Sequence, residues 1–211
     1  MMPGNADKYW WTMFAGGLLP LLALGFDIAN HRLGGNPIQA VHIFLGDWAL
    51  RFVCLGLAIT PLQTISKWRG LAAYRQLLGL YAWFYATLHL LAYLAADFAL
   101  QWGMIGIDIL QSPYIWLGLS AYAILLAMGL TSSKWAQKRL GKNWKKLHRL
   151  IYLAALAAIV HYLWQLKGNL AEPMLYALVI AILLGFRVLV WLKNRRFNRL
   201  MIPVGKRNTL E

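Results

Sequence analysis

LLGLYAWFYATLHLLAYLAA, Leu77 to Ala96, is an apolar run interrupted only by His89. A helix needs roughly 20 mostly apolar residues to cross a hydrocarbon layer of about 30 Å, and this stretch reaches that length without a charge. On either side of it, residues 9–26, 48–65, 114–131, 150–166 and 174–192 are also long and mostly apolar, with Arg51 near the start of the second and Arg187 near the end of the last. The expected fold is an all-α membrane protein, a six-transmembrane-helix bundle forming a single domain, with residues 193–211 as a basic tail. Gly16, Gly17 and Pro20 predict a locally bent first span that neighbouring helices support. That span begins at Tyr9 after a nearly uncharged start and lacks a small-residue cleavage site, so it is expected to be retained.

Composition agrees with this class. The chain has 211 residues, 60% of them hydrophobic and only 13% charged, so six spans and their connections leave no room for a soluble catalytic domain. The net charge of +14 lies in short runs between apolar segments, which argues against a nucleic-acid-binding domain and for membrane topology. Cys54 is the single cysteine, so neither an internal disulfide nor a thiolate-clustered metal site can form.

Orientation follows from where Lys and Arg collect, because cytoplasmic connections are enriched in them. Lys67, Arg69 and Arg75 follow span two; Lys134, Lys138, Arg139, Lys142, Lys145, Lys146 and Arg149 follow span four; Lys193, Arg195, Arg196, Arg199, Lys206 and Arg207 follow span six. The opposite side holds Arg32, Arg51 and Lys167, together with Asp47, Asp97, Asp108 and Glu172. Both termini are therefore expected in the cytoplasm.

Ionisable side chains within a membrane usually face the bundle interior, where a ligand or partner compensates them. His89 lies roughly 18 Å past Leu77 and His161 roughly 16 Å past Leu150, at the helical rise of about 1.5 Å per residue. Two imidazoles at matching depth on spans of the same direction are what a six-coordinate heme iron requires. Hydrogen-bonded interior histidines are the alternative for either ring taken singly.

His148 precedes His161 by roughly 20 Å of helix and is turned about 140° from it, so a second site would lie nearer the cytoplasmic face. No second histidine on span three answers it. Arg75 lies within about 40° of the His89 direction on an ideal helix, and suits a propionate or a phosphate better than an iron. Arg51 and Arg187, near span ends, are expected to snorkel toward the surface. His31 and His42 fall in the loop between spans one and two, where quinone contact, partner contact and plain solvation are all open and solvation is the leading reading.

RQLLGLYAWFYATLHLLAY from Arg75, LTSSKWAQKRLGKNWKKLHRLIY from Leu130 and VHYLW from Val160 resemble one family, and NHRLGGNP from Asn30 and ITPL from Ile59 agree. It is the MsrQ family of heme-binding membrane subunits of bacterial periplasmic methionine sulfoxide reductase systems, within the ferric-reductase-like transmembrane group. The resemblance covers most of the chain. It implies a b-type cytochrome, with one or two heme b groups, that passes electrons from the quinone pool to a separate periplasmic molybdopterin-containing reductase of oxidised protein methionine. The family's heme histidines fall on His89, His148 and His161, and FMN is implied as a further cofactor.

The larger ferric reductases carry fused flavin and nicotinamide domains, for which the sequence after span six has no room. Electrons are then expected from quinol or from a separate cytoplasmic flavin reductase. The competing reading is a small transporter or proton-relay protein without heme, for which inverted repeats and paired broken helices would be the signature.

Overall fold

The computed structural model describes residues 4–165, 168 and 170–201. Leu166 at the end of the fifth expected span, Lys167 and the tail beyond Met201 lie outside the described residues. The elements in order are α1 (Gly4–Ala29), α2 (Pro37–Ser66), a 3-10 turn (Arg69–Ala73), α3 (Tyr74–Ala92), a π-helical turn (Tyr93–Asp97) and α4 (Trp102–Gln111). They continue as α5 (Pro113–Leu130), α6 (Lys134–Leu140), α7 (Lys142–His148), α8 (Ile151–Gln165) and α9 (Ala171–Met201). Six helical segments are long and apolar enough to cross a membrane: Tyr9–Ala29, Pro37–Ser66, Gly70–Asp97, Pro113–Leu130, Lys142–Gln165 and Ala171–Arg195. With an even number of crossings, both ends of the bundle lie on one side, the side that also carries the basic connections after α2 and α5.

Local sequence explains where these helices start. Asn36 accepts from the backbone N–H of Gln39 (3.2 Å) and Pro37 occupies the first turn, where a missing N–H costs nothing. The second span thus begins at Pro37 and not at Trp48, which moves His42 out of the expected loop and into a helix. Ser133 caps α6 by accepting from Ala136 (3.2 Å), and Pro113 opens α5. The α2 helix ends at Lys67, in the left-handed conformation (φ 58°) whose N–H reaches the carbonyl of Gln63.

Packing follows two hairpins. α3 lies along α2 and α8 lies along α5, and the hairpins meet through α3 and α5. Small residues let the backbones approach, and Ala82 and Ala155 are fully buried. Phe52 stacks on Tyr81 and Tyr85 (5.0 and 5.3 Å between ring centres) in the core between α2 and α3. α9 covers α2 and α8 from outside, and α1 lies against α2 and α3. Leu19, Leu22, Leu153, Leu178 and Ile182 remain exposed around the bundle, as lipid-facing positions are.

Candidate functional site

Between the hairpins lies a cavity of about 600 Å³, within the range of about 300–1,000 Å³ usual for cofactor and ligand sites. Its walls carry short side chains, among them Gly46, Ala49, Gly118 and Ala121, and two imidazoles, His89 and His161. The ring centres of His89 and His161 are 6.4 Å apart with planes at 85°. Metal–imidazole bonds of about 2 Å, with about 1 Å from nitrogen to ring centre, would put two axial imidazoles about 6 Å apart.

Each ring is also held in one tautomer. His89 Nδ1–H donates to the carbonyl of His42 (3.0 Å), and His161 Nδ1–H donates to the carbonyl of Tyr114 (2.8 Å). Both bonds tie Nδ1 and leave Nε2 as the nitrogen with a free lone pair, the arrangement found at metal-ligating histidines. Among the described residues no group of three or more His, Cys, Asp or Glu could hold a bare metal ion. Two imidazoles facing across an apolar slot with glycine seats fit a metal that brings its own equatorial ligands, as heme iron does.

The end of the cavity away from the basic connections is polar. His42 Nδ1 lies 3.0 Å from Asp97 Oδ2, and Tyr93 donates to Asp108 (2.7 Å). The π-helical turn at Tyr93–Asp97 produces this cluster, because its wider turn brings Asp97 back toward the face that carries His89 and Tyr93. Asp47, the one buried charged side chain among the described residues, also lines the cavity. Arg51 lies 3.8 Å from Asp47 and donates to Tyr176 (2.7 Å) and Glu172 (3.3 Å), so α2 and α9 hold it in place.

The other expected residues lie elsewhere. His148 stacks on Trp144 (ring centres 4.0 Å apart), and its Nε2 is 3.2 Å from the hydroxyl of Thr131. Arg75 donates to Gln63 (3.1 Å) and Thr60 (3.4 Å) at the end of α2, and does not line the cavity. Sequence reasoning missed His42, Gly46 and Gly118 at the site. The Asn36–Pro37 cap was the available signal for His42. The 47-residue spacing shared by the two histidine–carbonyl pairs marks a recurrence that the apolar pattern conceals.

The family model described as ferric reductase like transmembrane component matches residues 45–159, from within α2 to within α8. Over 188 residues the chain is 40% identical to the protein-methionine-sulfoxide reductase heme-binding subunit MsrQ of Xanthomonas oryzae pv. oryzae, covering 86% of each chain. It is 42% identical over 183 residues to the protein of that name from Polaromonas naphthalenivorans, covering 85% of this chain and 84% of the relative. The corresponding protein of Agrobacterium fabrum is 40% identical over 178 residues, covering 84% and 82%.

Proposed function

The chain belongs to the ferric-reductase-like transmembrane family and, within it, to the MsrQ heme-binding subunits, and from that membership we propose that it is the b-type cytochrome of a protein-methionine-sulfoxide reductase system. The observation that carries this reading is the pair His89 and His161, 6.4 Å apart across an apolar cavity, each with Nδ1 on a backbone carbonyl. These two residues are the proposed axial ligands of one heme b, which supplies reversible one-electron transfer. The chain's own part is to orient both imidazoles and to surround the metal with apolar walls that tune its potential.

His148 is the proposed ligand of a second heme nearer the basic end, and Arg75 the proposed partner of an acidic group there. The contact between His148 and Thr131 would have to yield to the metal. Electrons are proposed to come from the quinone pool, with a cytoplasmic flavin reductase as the other source, and to leave for a periplasmic molybdopterin-containing reductase that repairs oxidised methionine. FMN is retained as the family's further cofactor, with no residue assigned to it.

A reduced-minus-oxidised spectrum with heme quantified per chain tests the core of this proposal. The expected result is a b-type spectrum that His89→Ala and His161→Ala each remove from the outer site. Purified wild-type protein without heme would refute it. Reduction by a soluble quinol, with oxidation by the separately purified reductase, then tests the route.

A further inference from the structure

The two cavity imidazoles are held by the same device used twice. His89 on α3 donates to the carbonyl of His42 on α2, and one turn along α2 Gly46 lies against the same ring. His161 on α8 donates to the carbonyl of Tyr114 on α5, and one turn along α5 Gly118 lies against that ring. A methyl group at Gly46 would stand 3.2 Å from Cε1 and Nδ1 of His89, and one at Gly118 would stand 2.9 Å from the same atoms of His161. Each ring is therefore bonded at one edge and lies over a glycine of the neighbouring helix, where any larger residue would crowd it.

We infer that Gly46 and Gly118 are positioning residues that, with the carbonyls of His42 and Tyr114, hold the two axial imidazole planes nearly perpendicular across the heme site. The inference rests on the heme reading above and concerns what the ligand geometry does to the metal. The planes stand at 85°. Parallel imidazoles would both interact with the same iron d orbital of π symmetry and split it from its twin. Perpendicular imidazoles treat the two orbitals alike and leave them nearly degenerate. A low-spin ferric ion with such a near-degenerate pair is strongly anisotropic, so its paramagnetic resonance is one feature at large g, with the other components broadened away. Two glycines and two backbone carbonyls thus set the electronic state of the iron without touching it.

The test is low-temperature paramagnetic resonance on the full-length oxidised protein, as wild type and as His148→Ala, the latter to remove any signal from an inner heme. The expected spectrum is a single large-g feature that survives His148→Ala. Gly118→Ala and Gly46→Ala force the rings to turn or withdraw, so the feature should move toward a rhombic spectrum with three resolved g values, or give way to a high-spin signal as one ligand is lost. Gly79→Ala, on the same helix as His89 and with nothing within 4 Å of the added carbon, should change nothing. A rhombic, fully resolved spectrum from heme-loaded His148→Ala, with no large-g feature, would overturn the inference even if neither glycine variant folds. An unchanged large-g feature in folded, heme-loaded Gly46→Ala and Gly118→Ala would overturn the role of the glycines. Absence of heme from the wild type would instead defeat the reading on which the inference stands, and the inference with it.

Discussion

Arg187 on α9 donates to the backbone carbonyl of Leu57 on α2, the carbonyl whose helical donor would be residue 61. Residue 61 is Pro61, which has no N–H, so the arginine supplies the hydrogen bond that the proline removes. Further Arg187 N–H groups reach Leu183 (2.9 Å) and Thr60 (3.2 Å), and the guanidinium lies 5.5 Å from the ring centre of Tyr152. The side chain expected to snorkel is thus turned inward, to the gap that Pro61 leaves in the hydrogen bonds of α2.

That relationship predicts coupling between two positions on different helices. Arg187→Met leaves the Leu57 carbonyl unsatisfied and should cost about 1–3 kcal/mol. In a Pro61→Ala background the alanine N–H takes the carbonyl, and the cost of losing Arg187 should shrink. Thermal unfolding of the four proteins in one detergent measures the cycle. Equal costs in both backgrounds would mean that the arginine acts through its other contacts.

Two adjacent glycines on α1 should respond oppositely to alanine. A carbon added at Gly17 would run into the ring of Tyr81, whose hydroxyl donates to the Phe14 carbonyl, beside Tyr85, which donates to the Gly17 carbonyl (2.8 Å). Gly17→Ala should lower stability by about 1–3 kcal/mol by forcing α1 off α3. Gly16 has nothing within 4 Å of the added carbon, and Gly16→Ala should be neutral or gain up to about 1 kcal/mol from helix propensity. The order of the two melting temperatures checks this directly.

The lysine and arginine distribution predicts the orientation. Fused after the last residue, a fluorescent protein that matures only in the cytoplasm should fluoresce, and alkaline phosphatase should be inactive. The same phosphatase fused after truncation in the connection between the π-helical turn and α4 should be active. The reverse pattern would invert the bundle, and with it the side from which each electron partner approaches.

Hydropathy made the spans legible because each needs length and apolar content, and both can be read residue by residue. The matching depth of His89 and His161 was equally legible, since a fixed rise per residue converts counting into height. The start of α2 was not. Gln39, His42 and Asp47 interrupt Ile38, Ala40, Val41, Ile43, Phe44 and Leu45, so the stretch reads as a connection unless Asn36 and Pro37 are taken as its N-terminus. The glycine seats were hidden for a different reason. What Gly46 and Gly118 meet is a side chain on another helix, and helix-to-helix register is not written in either helix alone.

Heme counting separates the two proposed sites. With His148 as ligand to an inner heme, the wild type should hold two hemes per chain and His148→Ala one, with the perpendicular-ligand resonance intact. Pyridine hemochrome analysis against protein concentration gives the number. One heme in both proteins would leave His148 a structural residue, stacked on Trp144 and bonded to Thr131.

Three imidazoles line the cavity, and only two are predicted to be ligands. His42 stands edge-on to His89 with ring centres 4.5 Å apart, close enough for a ligand exchange to be conceivable on distance alone. Its Nδ1, however, is paired with Asp97 at 3.0 Å, and its main contribution to the site is its backbone carbonyl, which fixes the His89 tautomer. Alanine at position 42 keeps that carbonyl and removes only the ring. His42→Ala should therefore retain the outer heme at wild-type stoichiometry, whereas His89→Ala loses it. The pair of variants is compared by heme per chain and by the reduced spectrum. Loss of heme from folded His42→Ala together with retention in His89→Ala would transfer the ligand role from α3 to α2.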